Sequence, residues 1–228
     1  MLQQARQRSC INGSNQVSDR KCEILRWCAA VLAAGLFAAA PLHAEERSLV
    51  GPASSEARQL TGWVTATGDN HGMPFVVVDK KAAEVFVFDA GGRLVGDSAV
   101  LLGLARGDDS AAGVGDKKLS DIRPEERITP AGRFVASLGY GLGKQDILWV
   151  DYPSALALHR VSPAASQEGR LQRLASTSPR DHRITFGCIN VPAAFYDAVI
   201  HPTFLSTSGV VYILPEIKSV AEVFDLHA

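Results

Sequence analysis

From Met73 onward the chain sets short runs of β-branched and aromatic residues between glycine- and aspartate-bearing breaks, a spacing that predicts strands. Phe75-Val76-Val77-Val78-Asp79 comes first, then Glu84-Val85-Phe86-Val87-Phe88-Asp89, then Arg93-Leu94-Val95. Ala90-Gly91-Gly92 separates the last two, the short glycine loop of a hairpin, so an antiparallel meander is expected rather than a βαβ unit. Leu104–Arg127 is polar and Gly-rich and predicts a long surface loop with a short helix near Lys118–Ile122. Ile128–Ala136 reads as a turn feeding a strand, and Gly139, Gly141 and Gly143 as a loop. Asp146–Tyr152 and Ala155–Val161 follow as strands, Ala193–Ile200 as a short helix, Gly209–Leu214 as a strand and Ile217–Phe224 as a helical tail. The expected fold class is mainly β, β-rich with short helices around a mostly antiparallel sheet.

Upstream the pattern changes. Arg20, Lys21 and Arg26 precede an uncharged run from Trp27 to Ala40. A helix of that length reaches only about 21 Å of the roughly 30 Å hydrocarbon core, which favours a cleaved export signal over a membrane span. Small residues at Ala40 and Ala44 mark cleavage positions. The expected organisation is a signal peptide with a long n-region over 1–44, a tether over 45–72 ending in a short strand around Gly62–Thr67, a catalytic domain over 73–215 and a tail over 216–228.

Composition narrows the function. The 228 residues suit one domain, and a net charge of -1 gives no electrostatic reason for a nucleic-acid surface. Losing residues 1–44 removes five of the 23 basic and two of the 24 acidic residues, leaving 18 against 22, or -4. It also removes Cys10, Cys22 and Cys28, so Cys188 stands alone in an exported chain with no partner for a disulfide. An unpaired thiol outside the cytosol is exposed to oxidation unless it is buried or used.

Cys188 lies in Thr185-Phe186-Gly187-Cys188-Ile189-Asn190-Val191-Pro192. Glycine before the cysteine permits backbone geometry that a side chain blocks and leaves the Gly187 and Cys188 N–H groups free to face an oxyanion. A helix is expected to begin just after Cys188, lowering the thiol pKa through its dipole. His159, the spacer and Thr185-Phe186-Gly187-Cys188-Ile189-Asn190 together resemble the motif of the YkuD-type L,D-transpeptidases. Val76–Asp89 with Gly92-Arg93-Leu94 is similar to that family's opening hairpin, and Ile128-Thr129-Pro130-Ala131-Gly132-Arg133-Phe134 to its Thr-Pro-x-Gly-x-Phe turn.

The resemblance implies a YkuD-like L,D-transpeptidase catalytic fold in the periplasm of a Gram-negative organism, acting in cell-wall biogenesis and cell shape and sensitive to carbapenems. Its partners are peptidoglycan stem peptides, with no nucleic acid, no membrane span after signal cleavage and no cofactor. Cys188 attacks the stem-peptide carbonyl, and the thioester passes to an amine. A hydrolytic L,D-carboxypeptidase or amidase, and a catalytically silent wall-binding module, are the alternatives.

Two histidines precede the cysteine. His159, in the apolar run Ala155–Val161, is the expected base, whereas His182 sits among Ser178-Pro179-Arg180-Asp181 and Arg183 and reads as a solvated loop residue. Thr185, Phe186, Gly187 and Asn190 are expected to shape the turn and oxyanion site, and Arg160, Tyr140 and Arg183 to line a substrate loop. Phe186 stands where the family commonly has histidine, and the spacer to Cys188 is longer than usual. That insertion carries Arg170, Arg173, Arg180 and Arg183, candidates to meet stem-peptide carboxylates. Gly139–Lys144 lacks the Ser or Thr of a phosphate loop, and His71, His201 and His227 show no ligand spacing, so no metal is expected.

Overall fold

The computed structural model describes residues 53–141, 144–162 and 168–226. The expected signal segment, its cleavage positions and the three N-terminal cysteines lie outside them. Among the described residues no helix is long and apolar enough to cross a membrane.

The chain enters through α1 (Ser55–Thr67), where a tether and a strand had been expected. Ala57, Leu60, Thr61 and Val64 recur at helical spacing and are buried, Ser54 Oγ accepts from the Ala57 N–H, and Gly68 at φ +69° closes the far end. Serine and glycine, which suggested a linker, are here the two caps. Strands β1 (Phe75–Asp79), β2 (Glu84–Phe88) and β3 (Leu94–Ala99) form the expected meander. Asp89 Oδ1 accepts from the Gly91 and Arg93 N–H groups to set the β2–β3 turn. A two-residue β4 (Leu102–Gly103) follows, and the polar loop beyond it forms three short 3₁₀ turns, at Val114–Asp116, Leu119–Asp121 and Pro124–Glu126.

Next come β5 (Gly132–Tyr140), β6 (Asp146–Asp151) and β7 (Leu156–Arg160), then α2 (Arg170–Leu174), β8 (Arg183–Thr185) and β9 (Ile189–Val191). Gly139, expected in a loop, lies within β5. The helical region after β9 runs through α3 (Ala193–Phe195), a π turn over Tyr196–Ile200 and α4 (His201–Phe204). Strand β10 (Gly209–Ile213) and α5 (Val220–Val223) end the described chain.

The large sheet has eight strands in the order β3-β2-β1-β10-β5-β6-β7-β9, and β4 pairs with β8 in a second, small sheet. Within the large sheet β1–β10 and β7–β9 are parallel and the other pairs antiparallel. The fold is therefore mainly β, and its sheet is mixed with an antiparallel majority.

Burial differs between the two halves. One face runs the whole width under Tyr196, Ile200 and Phe204, which pack on Val76, Val87, Ala136, Leu148, Leu158, Ile189 and Val211. Each fully buried aliphatic side chain there contributes about 1.5–3 kcal/mol. The opposite face is covered only over β1, β2 and β10, where Phe75, Val77, Phe86, Phe88, Val210 and Tyr212 meet Ala57, Leu60 and Val64 of α1 and Phe224. Over β5, β6, β7 and β9 that second face belongs to neither core, and the candidate chemistry lies on it.

Candidate active site

Parallel pairing of β7 with β9 sets Leu158 opposite Ile189, His159 opposite Asn190 and Arg160 opposite Val191. Cys188 comes immediately before β9, and its side chain reaches the backbone at the start of β7. Strand side chains alternate between faces, so Leu156, Leu158, Ile189 and Val191 enter the core while Ala157, His159 and Asn190 share the other face, where Ala157 and Asn190 are buried. The open face continues through Trp149, opposite Ala157, and Ser137, opposite Trp149.

The imidazole is oriented by a backbone carbonyl. His159 Nδ1 lies 2.8 Å from the Arg160 carbonyl oxygen, which can only accept, so Nδ1 carries the proton and Nε2 the lone pair. Asn190 Nδ2 donates to that lone pair at 3.0 Å, and Asn190 Oδ1 accepts from Arg170 Nη1 at 2.7 Å. The two contacts agree on which way the Asn190 amide points. Burial pushes the His159 pKa below its ordinary 6.5; the bond to Arg160 opposes this and the positive charge of Arg170 adds to it.

Cys188 is half-buried, with Sγ 3.5 Å from the Ala155 carbonyl oxygen. A strand, β9, follows it, and the helical turn begins only at Ala193, so the expected helix dipole is not there to lower its pKa. Burial instead raises the thiol above its ordinary 9.0, partly offset by a backbone hydrogen bond from Ala157 and by Arg170. With the thiol raised and the imidazole lowered, the resting pair is neutral thiol and neutral imidazole.

The loop that carries Cys188 is held from four sides. Thr185 Oγ1 donates to the Cys188 carbonyl at 2.6 Å and accepts from the Gly187 N–H at 3.2 Å. Of the two amides expected to face an oxyanion, that of Gly187 is thus already engaged. Gly187 has φ +130°, and a Cβ there would lie 2.8 Å from the Ile128 carbonyl oxygen, so the position admits only glycine without strain. Thr129 Oγ1 donates to the Gly187 carbonyl at 2.7 Å and accepts from the Gly103 N–H at 2.8 Å. Leu101 exchanges two backbone hydrogen bonds with Asn190, and the Leu104 N–H donates to the Thr185 carbonyl. Beside this loop a cleft of about 20 Å³ is lined by Ser110, Ile128, Pro130, Ala155, Gly187 and Cys188.

Several expected residues serve elsewhere. Arg160 follows His159 in a strand and so faces the opposite side, where its guanidinium lies 4.0 Å from the Tyr196 ring centroid and pairs with Asp146 at 3.1 Å and Asp197 at 2.6 Å. Tyr140 is 78% exposed at the end of β5. Arg183 donates to the Lys80 carbonyl and to Glu216 Oε2, lining a different cavity, of about 300 Å³, with Lys81, Arg106 and Arg180. His182, expected to be solvated, is buried between the carbonyls of Val100 (2.8 Å) and Ser176 (3.0 Å). Phe186 stacks under the Arg127 guanidinium at 4.0 Å. Sequence reasoning missed the bond from Thr129 to the Cys188 loop, although the Thr-Pro-x-Gly turn that places it is visible, and it did not single out Arg170 from the other arginines of the insertion.

No protein-family model and no curated protein sequence matches the chain. Among solved structures it is similar to L,D-transpeptidases and to a cell-shape protein. The helical cell shape determining protein Pgp2 from Campylobacter jejuni is 15% identical, with 72% of this chain and 58% of that one covered and a TM-score of 0.44. The L,D-transpeptidase (residues 123–326) from Xylanimonas cellulosilytica is 14% identical over 62% and 60%, with a TM-score of 0.38. That from Mycobacterium smegmatis is 14% identical over 61% and 58%, with a TM-score of 0.35. The chain thus spans no more than three fifths of the length of these structures.

Proposed function

We propose that the protein is an exported peptidoglycan L,D-transpeptidase that carries a wall stem peptide as a thioester on Cys188 and transfers it to an amine. The observation that supports this reading is the β7–β9 pairing, which brings His159, its tautomer fixed by the Arg160 carbonyl, to the strand beside the one that begins just after Cys188.

Once Asn190 releases the Nε2 lone pair, the thiol gives its proton to His159 Nε2 as Sγ attacks the peptide carbonyl carbon. The oxyanion is met by the Cys188 N–H and the neighbouring cleft, whose volume of about 20 Å³ suits about one oxygen. On collapse the carbon–nitrogen bond breaks, and the imidazolium protonates the departing amine. A second amine then attacks the thioester, His159 takes its excess proton, and the new amide leaves as the proton returns to sulfur. A neutral resting pair suits this cycle, because the imidazole starts as a base and ends as an acid.

Incubating the full chain with purified muropeptides and weighing the products tests the reading. Loss of a terminal D-amino acid with growth of a cross-linked product, absent in Cys188→Ala, is the expected result; loss without cross-link means that water is the acceptor. A carbapenem should add its mass to the peptide containing Cys188. If neither muropeptide nor carbapenem is altered by the unsubstituted chain, the proposal fails.

A further inference from the structure

Of the four arginines in the insertion between His159 and Cys188, one reaches the open face. Arg173 donates to the Asp181 carbonyl at 2.8 Å, Arg183 is tied to Glu216 at 2.7 Å, and Arg180 is exposed beside the cavity that Arg183 lines. Arg170 begins α2 after Gly169, whose φ of +63° turns the chain, and its side chain is only 14% exposed. Nη1 donates to Asn190 Oδ1 at 2.7 Å and Nε to Glu168 Oε2 at 2.6 Å. Its charge acts on both His159 and Cys188.

We infer that Arg170 is a specificity-determining residue that reads a carboxylate on the substrate at the Cys188–His159 site, with Glu168 holding its place in the resting protein. A guanidinium offers five donors in a planar fork that fits a carboxylate in two parallel bonds. Asn190 takes one side of the fork. Glu168 takes the other from only two residues away, is 48% exposed and has no second cation among the described residues, so it is readily displaced. Exchange of one carboxylate for another keeps the guanidinium paired, whereas a neutral substrate group offers it no such exchange. Asn190 ties the exchange to the base, because the same amide that accepts from Arg170 donates to His159 Nε2. This inference deepens the acyl-transfer reading, in which the carboxylate belongs to a stem peptide.

Two alkylating agents of nearly equal shape test it: iodoacetate, which carries a carboxylate, and iodoacetamide, which does not. Rates at the peptide containing Cys188 are followed by mass spectrometry in the full chain at one pH. Both reagents need the thiolate, so a general change in thiol ionisation or folding cancels in the ratio of the two rates. The ratio should fall about tenfold in Arg170→Gln, fall less in Arg170→Lys, and rise in Glu168→Gln, where the internal competitor is gone. The Glu168→Gln arm stands even where Arg170→Gln fails to fold. An unchanged ratio in a folded Arg170→Gln, or a ratio that does not rise in Glu168→Gln, overturns the inference. Ratios that shift as expected in a chain that never turns over muropeptide sustain carboxylate reading and sink only the transferase assignment.

Discussion

Replacing Thr129 by valine keeps the side-chain shape and removes the hydroxyl, and the structure sets the size of the effect. Thr129 is fully buried, and its Oγ1 serves two backbone groups at once, the Gly187 carbonyl and the Gly103 N–H. Both glycines are buried, so Thr129→Val leaves two buried polar groups without a partner. At about 1–3 kcal/mol for each orphaned group, the expected loss is about 4 kcal/mol. For a domain of this size that lowers Tm by roughly 8–16 °C. Urea unfolding is the assay, and the midpoint should fall with little change in slope, marking lost stability rather than a different unfolded state. Thr129→Ser keeps the hydroxyl, gives up one methyl and should cost only about 1 kcal/mol. The reasoning is refuted if valine costs less than about 0.5 kcal/mol, or if serine costs as much as valine. A second readout is local: without the bond to Gly187, the alkylation rate of Cys188 should change at urea concentrations far below the global transition.

The neutral resting pair makes a pH prediction. Alkylation of Cys188 by iodoacetamide should climb with a midpoint above 9.0, while kcat/KM for acyl transfer should lose its acid limb only below 6.5, where His159 takes up a proton. An alkylation rate already level between pH 5 and 8 would reveal a thiolate–imidazolium pair instead. A third prediction concerns the buried ions behind the loop. Lys80 Nζ meets Asp108 Oδ1 at 2.8 Å with both side chains essentially inaccessible, and the Asp108 carboxylate also accepts from the N–H groups of Glu216, Ile217 and Lys218. Burial alone would raise the Asp108 pKa, but Lys80 and these three N–H groups outweigh it and hold it well below 3.8. The folded state therefore binds fewer protons than the unfolded state near and below 3.8, so this contribution is full at neutral pH and drains away as pH falls through the folded value. Asp108→Asn should cost about 3–5 kcal/mol at pH 7 by urea unfolding and flatten the acid side of the stability curve. Equal acid sensitivity of the two proteins would contradict the assignment.

The strands were legible because runs such as Val76–Asp79 and Val85–Phe88 are buried on both faces, and a continuous apolar run survives any detail of packing. Helix α1 was hidden, since its apolar residues are few and its caps are the serine and glycine that also mark linkers. For the site, Cys188 and His159 stood out from residue type and context. The assignment of Arg160 to the same cleft could have been rejected beforehand, as neighbours in a strand cannot share a face. His182 was misjudged from the polarity around it; its ring lies buried between two backbone carbonyls inside the fold. Thr129 and Gly187 are 58 positions apart and Arg170 and Asn190 are 20 apart, distances over which no local pattern carries information.

Strand β10 sits at the middle of the large sheet, joined in parallel to β1, with Phe75 beside Val210, and antiparallel to β5. It is a keystone cut late and set in the centre. A fragment ending before Gly209 would hold two half-arches with their facing edges bare, and Cys188 would ride on the half away from the strands that α1 packs on. Folding must therefore wait for a distant segment of chain, a high-contact-order closure that is intrinsically slow. Until it closes, neither half of the sheet has the strand that joins it to the other.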